Sequence, residues 1–342
     1  MLEYGDITML ADKTILITGG TGYLGQALTE EILKQHPKSI RIFSRDEVKH
    51  FKFQEKFSRN KKKIRSFLGD VRDYPRLLKA TRGVDIVIHA AALKRLDLLE
   101  YNVDESIKTN ILGTLNVVNA CLENKVKKAV MISSDKACSP VNTYGACKFV
   151  SERIFSESNY NKGNLKTIFT TVRYGNVLES TGSVIPFFSE KIIKGEDIPL
   201  TDSRMTRFII SPKEAVELVF TAIKYGVGGE IFVPRLPSFK ITDLIEILRE
   251  KYHKRNKVKI IGTRPGEKIH ELMINFSEIS RTYVFKNLYV IRSSIRGLDK
   301  KKPIYIRKGR LLNEKIMKEY NSEDALISKS AVSKIFKRLG LI

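Results

Sequence analysis

Residues Ser133–Lys148 read "SSDKACSPVNTYGACK" and gather several groups able to move protons. Tyr144 and Lys148 are four apart, which places them on one face of a helix. An ammonium beside a phenol lowers the phenol pKa from about 10, so Tyr144 can take a proton from a substrate hydroxyl. That is the chemistry of hydride transfer at an alcohol carbon, with Lys148 tuning Tyr144 and Ser134 holding the alcohol. Asp135 and Lys136 add a second acid and base, which alcohol oxidation alone does not need. Singly, Tyr-x-x-x-Lys is an ordinary helix face and Asp–Lys an ion pair capping a loop. Their conjunction, with a serine at a strand end, favours a site.

The elements that must position these groups alternate. "KTILITG", "SIRIFS", "KIRSFLGDV", "VDIVIHAAA" and "KKAVMISS" are apolar runs, separated by amphipathic stretches such as "YLGQALTEEILKQH". Continuous apolar strands between helices predict an α/β fold with a Rossmann-type doubly wound parallel sheet. Ser134 ends the fifth strand, at the sheet edge where such folds bind ligands. The pattern predicts a dinucleotide-binding domain over residues 1–174, with a later strand near 229–235 returning to its sheet. It then predicts a smaller α/β substrate-binding domain over 175–295 and a basic C-terminal extension over 296–342. No internal repeat or low-complexity linker interrupts the chain.

"TGGTGYLG" follows the first strand and opens a helix. Gly19, Gly22 and Gly25 allow a tight turn and close approach of a pyrophosphate to the backbone, with Thr21, Tyr23 and Leu24 completing the loop. The helix N-terminus supplies N–H donors and partial positive charge. The second strand ends Phe43-Ser44-Arg45, a hydroxyl and a guanidinium that suit a 2′-phosphate, so NADP is the expected cofactor. The competing arrangement has Arg45 in solvent and Asp46 on the ribose. Asp70 and Val71 in "GDVRD" fall where an adenine would lie. Ala90, Ala91 and Lys94 in "HAAALK" fall after the fourth strand.

The net charge of +23 raises the question of a polyanionic partner. Acids are interleaved with the bases, and the lysine runs at 61–63 and 300–302 are short, so a spread basic surface is favoured and no nucleic acid is expected. No apolar run reaches membrane-span length, so no membrane association is expected. An acidic residue precedes the first apolar run, unlike a secretory signal. Cys121, Cys138 and Cys147 form no CxxC spacing and read as free thiols of a cytoplasmic protein. The five scattered histidines include no HxxxH pair, so no metal is expected.

These motifs together resemble the extended short-chain dehydrogenase/reductase superfamily, and within it the small soluble inverting UDP-N-acetylglucosamine 4,6-dehydratases. The resemblance is carried by "TGGTGYLG", "FSRDE", "GDVRD", "HAAALK", "TNILGTLNV", "SSDKACSPVNTYGACK", "VRYGNV", "GSVIPFF", "DSRMTRF", "GGEIFVP" and "RPGEKIHE", in family order from about residue 10 to 275. Ser134 stands where the family usually has Thr. The resemblance implies oxidation at C4 of the sugar, removal of the C5 proton by Lys136, help from Asp135 as the C6 hydroxyl leaves, and hydride return to C6. It also implies Asn110 at the cofactor. Lys94, Asn176, Ser183, Arg207, Arg264 and Glu267 are implied at a UDP-sugar, UDP-GlcNAc in the first place, and a homo-oligomer is implied too. The proposed roles need a protonated Asp135 and a neutral Lys136, which desolvation under a bound sugar would favour in both, one proton passing within the pair. Two other readings stay open: a UDP-sugar 4-epimerase, which needs Tyr144 but not the Asp–Lys pair, and a non-catalytic dinucleotide- or nucleic-acid-binding protein.

Overall fold

β-Branched and apolar runs build the centre of the molecule. The strands are β1 Thr14–Thr18, β2 Ser39–Ser44, β3 Ile64–Leu68, β4 Ile86–His89, β5 Lys128–Ser134, β6 Ile168–Tyr174, β7 Asn176–Val177, β8 Ile198–Leu200, β9 Thr206–Ile210, β10 Ile231–Pro234, β11 Ser238–Lys240, β12 Val258–Ile260, β13 Leu272–Ile274, β14 Thr282–Phe285, β15 Leu288–Ile291, β16 Arg310–Leu311 and β17 Tyr320–Asn321. The structure is a computed structural model that describes residues 9–178, 184–295, 302–315 and 317–342.

The principal sheet runs β16-β14-β15-β10-β6-β5-β4-β1-β2-β3. From β3 to β10 every pairing is parallel; β15, β14 and β16 extend that edge antiparallel. The order 3-2-1-4-5-6 is that of a Rossmann fold, with its topological switch between β1 and β4. All residues of β1, β4 and β10 are buried, as strands covered on both faces must be. Helices Tyr23–Leu33 and Pro212–Tyr225 pack together on one side; Tyr74–Thr81, Gly113–Glu123 and Thr143–Asn161 form the other layer.

Side-chain caps fix where several helices begin. Asp73 accepts from Arg76 N at 3.0 Å and Asn142 from Gly145 N at 2.7 Å. Ser211 and Glu214 form a reciprocal capping box ahead of Pro212. A π-helical turn at Ile107–Leu112 carries Asn110.

The second layer holds the sheet β11-β9-β7, the pair β12-β8 and helices Val184–Ile193 and Ile241–Tyr252. Its separate core includes Ile192, Phe239, Leu244 and Leu248, closed by Val332 and Phe336 from the helix Lys329–Arg338. The C-terminal residues thus serve both layers: β16 joins the principal sheet, β17 pairs with β13, and the last helix seals the second core. Among the described residues, no helix is long and apolar enough to cross a membrane.

Candidate active site

The chain leaves β5 at Ser134 and turns at once through a short 3₁₀ segment, Asp135–Ala137. The helix Thr143–Asn161 then starts so close that a Cβ on Gly145 would collide with the Lys136 carbonyl. Only glycine permits this approach, which sets Tyr144 beside the strand end. Ser134 Oγ donates to Asp135 Oδ1 at 2.8 Å and accepts from Lys136 N at 3.3 Å, with the Tyr144 phenol close by. Lys136 Nζ lies 3.1 Å from Asp135 Oδ1, 3.2 Å from Glu271 Oε1 and 3.4 Å from Asn176 Oδ1. Asp135 is fully buried, and its Oδ2 has no hydrogen-bond partner. One compact cluster therefore joins the hydroxyls of Ser134 and Tyr144 to a buried acid–amine pair.

Burial pushes the Asp135 carboxyl above its ordinary range against the opposing pull of Lys136. Burial also works against the Lys136 ammonium, but the carboxylates of Asp135 and Glu271 outweigh it and hold Lys136 above its ordinary value. With two carboxylates beside it Lys136 is favoured as an ammonium, and a neutral amine is expected of it only once a bound sugar covers the pair. The expected lowering of Tyr144 is corrected. Burial pushes the phenol up to about 12, the cation that opposes this being Lys136. Lys148 donates to the Ile132 carbonyl at 2.7 Å, and burial brings its own pKa down to about 8.

At the sheet's switch point the loop after β1 is shaped to accept a dinucleotide. Gly19 has φ +68, and a Cβ there would lie 2.8 Å from the Ala91 backbone. Gly22 caps the helix Tyr23–Leu33, and no side chain takes its cap position. Gly25 packs on Gly20 with no space for a Cβ, and Leu24 packs on the core. A backbone cradle at a helix start fits a pyrophosphate. Thr21 Oγ1 lies 2.8 Å from Ser44 Oγ, and Arg45 Nη1 lies 3.7 Å from Asp70 Oδ2. Asp46 instead accepts from Lys49 N at 2.9 Å as a helix cap. Asn110 grips Leu93 through both its amide atoms, at 2.8 and 2.9 Å, and so fixes the chain that leads to exposed Lys94. Val71 is buried against Gly113.

The polysaccharide biosynthesis protein model matches residues 15–293, from β1 to just beyond β15. The chain belongs to the polysaccharide biosynthesis protein family. This family member is 49% identical over 294 residues to a Campylobacter jejuni protein named UDP-N-acetylglucosamine 4,6-dehydratase (inverting), covering 85% of this chain and 86% of that one. It is 41% identical over 295 residues to a Rickettsia bellii protein named UDP-glucose 4-epimerase, with 85% and 86% covered. The crystal structure of Pen from Bacillus thuringiensis superposes with a TM-score of 0.90 at 37% identity, covering 98% of this chain and all of that one.

In this polysaccharide biosynthesis protein the remaining expected site residues are distributed unevenly. Asn176 lies within reach of Lys136. The Arg207 guanidinium donates to the carbonyls of Thr206, Lys268 and Ile269, at 2.8, 3.1 and 3.0 Å, with its Nε 3.7 Å from Glu271. Arg264 and Glu267 sit on the loop before β13, joined by a bond of 3.4 Å from Arg264 N to the Glu267 carboxylate. That loop is tied to the catalytic segment: Asn142 Nδ2 donates to Gly266 O at 2.7 Å and Lys268 Nζ to Cys138 O at 2.5 Å. Ser183 lies outside the described residues. Glu271 was not singled out in the sequence, although it closes the "RPGEKIHE" segment. A second unanticipated feature lies behind the site. Arg173 bonds both carboxylate oxygens of Glu152 and both of Glu278, while Ser133 donates to Glu152 at 2.6 Å.

Proposed function

We propose that this protein is an inverting UDP-N-acetylglucosamine 4,6-dehydratase that uses NADP. The observation that carries the reading is the contact of Asp135 and Lys136 with Ser134, at the strand end beside Tyr144. Ser134 holds the C4 hydroxyl and Tyr144 takes its proton. A bound nicotinamide dinucleotide supplies a hydride acceptor at C4 and a hydride donor at C6. Once C4 is a ketone, the adjacent C5–H is acidic. Lys136, after passing its extra proton to Asp135, takes the C5 proton; Asp135 gives its proton to the C6 hydroxyl, which leaves as water. Return of a proton to C5 on the opposite face gives UDP-2-acetamido-2,6-dideoxy-L-arabino-hexos-4-ulose.

The preference for NADP is supported by the Thr21–Ser44 hydroxyl pair, the outward guanidinium of Arg45 and the use of Asp46 as a helix cap. Gly19, Thr21, Gly22, Tyr23, Leu24, Gly25, Asp70, Val71, Ala90, Ala91, Lys94 and Asn110 would line that cofactor. Asn176, Arg207, Arg264 and Glu267 would face the UDP-sugar. A homo-oligomer is supported by the exposed apolar residues Leu98, Tyr101, Val103 and Ile107, which fall within one short stretch of chain. A cytoplasmic place is supported by three buried free thiols.

The reading is tested by incubating the protein with UDP-GlcNAc and NADP and weighing the product. Loss of one water supports it. An isomer of unchanged mass supports the epimerase reading instead, which the Rickettsia relative keeps open.

A further inference from the structure

Glu271 is the one carboxylate of the cluster to which the elimination gives no work. Its side chain is 3% exposed, Oε1 lies 3.2 Å from Lys136 Nζ, and Oε2 is buried with no hydrogen-bond partner. A carboxylate is not placed so deep without a counter-charge. Its position is held rigidly. Glu271 N donates to Ser322 Oγ at 2.8 Å, and Ser322 N donates to Glu271 O at 2.8 Å. Ser322 is itself fully buried, lies 2.6 Å from Thr206 Oγ1 and accepts from Ser238 Oγ. The C-terminal segment thus fixes Glu271 opposite Lys136 through the pairing of β17 with β13.

The charged groups facing this point can be enumerated by element. Asp135, Lys136 and, behind Ser134, Tyr144 come from the β5 end and the helix after it. Arg207 comes from β9, and Lys268 from the loop before β13. His270 is turned to Thr206 and Glu323. Lys136 and Arg207 balance Asp135 and Glu271 when one proton is shared by Asp135 and Lys136, and an ammonium on Lys268 adds one further positive charge.

We propose that Glu271 is a positioning residue for the elimination: its carboxylate fixes the Lys136 amine beside Asp135 and stabilises the ammonium formed when Lys136 takes the C5 proton. The inference rests on the dehydratase reading above. In the step, the C5–H bond breaks, the N–H bond on Lys136 forms, the electron pair moves to the C5–C6 bond, and the C6–O bond breaks with the Asp135 proton leaving as part of water. Glu271 gains and loses no proton. Its negative charge makes Lys136 a stronger base and Asp135 a weaker acid, so both limbs of the pH–rate profile lie at higher pH because of it.

The test compares Glu271→Gln and Glu271→Asp with the wild type, using UDP-GlcNAc with NADP and reading water loss and C5 solvent-deuterium incorporation against pH. For E271Q the expected result is a fall of about tenfold or more in water loss, with both limbs moved to lower pH. E271D keeps the charge but draws it back by one methylene; its optimum stays in place while its rate falls, and it carries the test if E271Q does not fold. An E271Q enzyme with the wild-type profile, or one lowered at every pH without a shift, overturns the inference, as does an E271D enzyme of wild-type rate. A wild-type protein that releases no water from UDP-GlcNAc overturns the dehydratase reading and this inference with it.

Discussion

Lys136 Nζ lies 3.1 Å from Asp135 Oδ1, and the carboxylate that receives it is fully buried. Adjacent residues seldom form such a pair inside a protein, because removing both charges from water is costly. The pair gains its value from chemistry across it. Lys136→Ala is expected to lower C5 deuterium incorporation from solvent by roughly 10²–10⁴-fold, the range of general base catalysis. The melting temperature should fall as well, because buried Asp135 and Glu271 lose the counter-charge of Lys136, so wash-in is compared at a temperature where both proteins are folded. Wash-in at the wild-type rate would remove Lys136 from the role of base.

Lys148 has a signed pH effect on stability. Burial lowers its pKa from 10.5 to about 8, so between those values the unfolded chain binds more protons than the folded one. Stability from this group is therefore complete above the unfolded value and is lost as pH falls toward the folded one. The melting temperature of the wild type relative to Lys148→Met should rise by a few degrees, on the order of 2–8 °C, as pH goes from the lower value to the higher. A flat difference across that window would show that Lys148 is not buried as an ammonium.

The glycine cradle and Arg45 make separate predictions for the cofactor. Gly19→Ala puts a Cβ 2.8 Å from the Ala91 backbone at φ +68, so NADP affinity measured by titration calorimetry should fall about tenfold or more. Arg45→Ala should weaken NADP by about tenfold and leave NAD nearly unchanged, the loss of one charge-assisted contact. Equal losses for both nucleotides would move Arg45 away from the 2′-phosphate.

Arg173 is buried between two carboxylates, with five bonds to Glu152, Glu278 and the Met273 carbonyl. Arg173→Met removes the cation that both acids bond, leaving Glu278 only the longer 3.6 Å contact with Arg281. Urea unfolding should show a loss of about 3–5 kcal/mol, the cost of breaking a buried pair from one side. A loss under about 1 kcal/mol would place the cluster among interactions of surface strength.

The parallel sheet was legible because each strand declares itself locally, as "KTILITG" and "VDIVIHAAA" do, and because glycine spacing after β1 marks a phosphate turn. The segment from Ser134 to Lys148 was legible for the same reason: its parts lie within one turn and one helix. Glu271 was not. It reaches Lys136 only after β13 has folded back along the site and Ser322 has fixed it there, and no local pattern encodes that meeting. The protonation of the cluster was legible only by half. Burial raises Asp135 as desolvation requires, yet the fold also brings Glu271 beside Lys136, where its charge opposes desolvation of the amine. The return of residues 302–342 to both cores was hidden by their basic composition, because Val332 and Phe336 show their burial only against Phe239 and its neighbours.

The central claim is that Asp135 and Lys136 turn an oxidation at C4 into an elimination that inverts C5. Incubation with UDP-GlcNAc and NADP in deuterated water, followed by proton NMR of the product, tests it most directly. The expected product is a 4-keto-6-deoxy sugar of L-arabino configuration carrying deuterium at C5. A product that keeps the C6 hydroxyl, or one that retains the original C5 configuration, would contradict it.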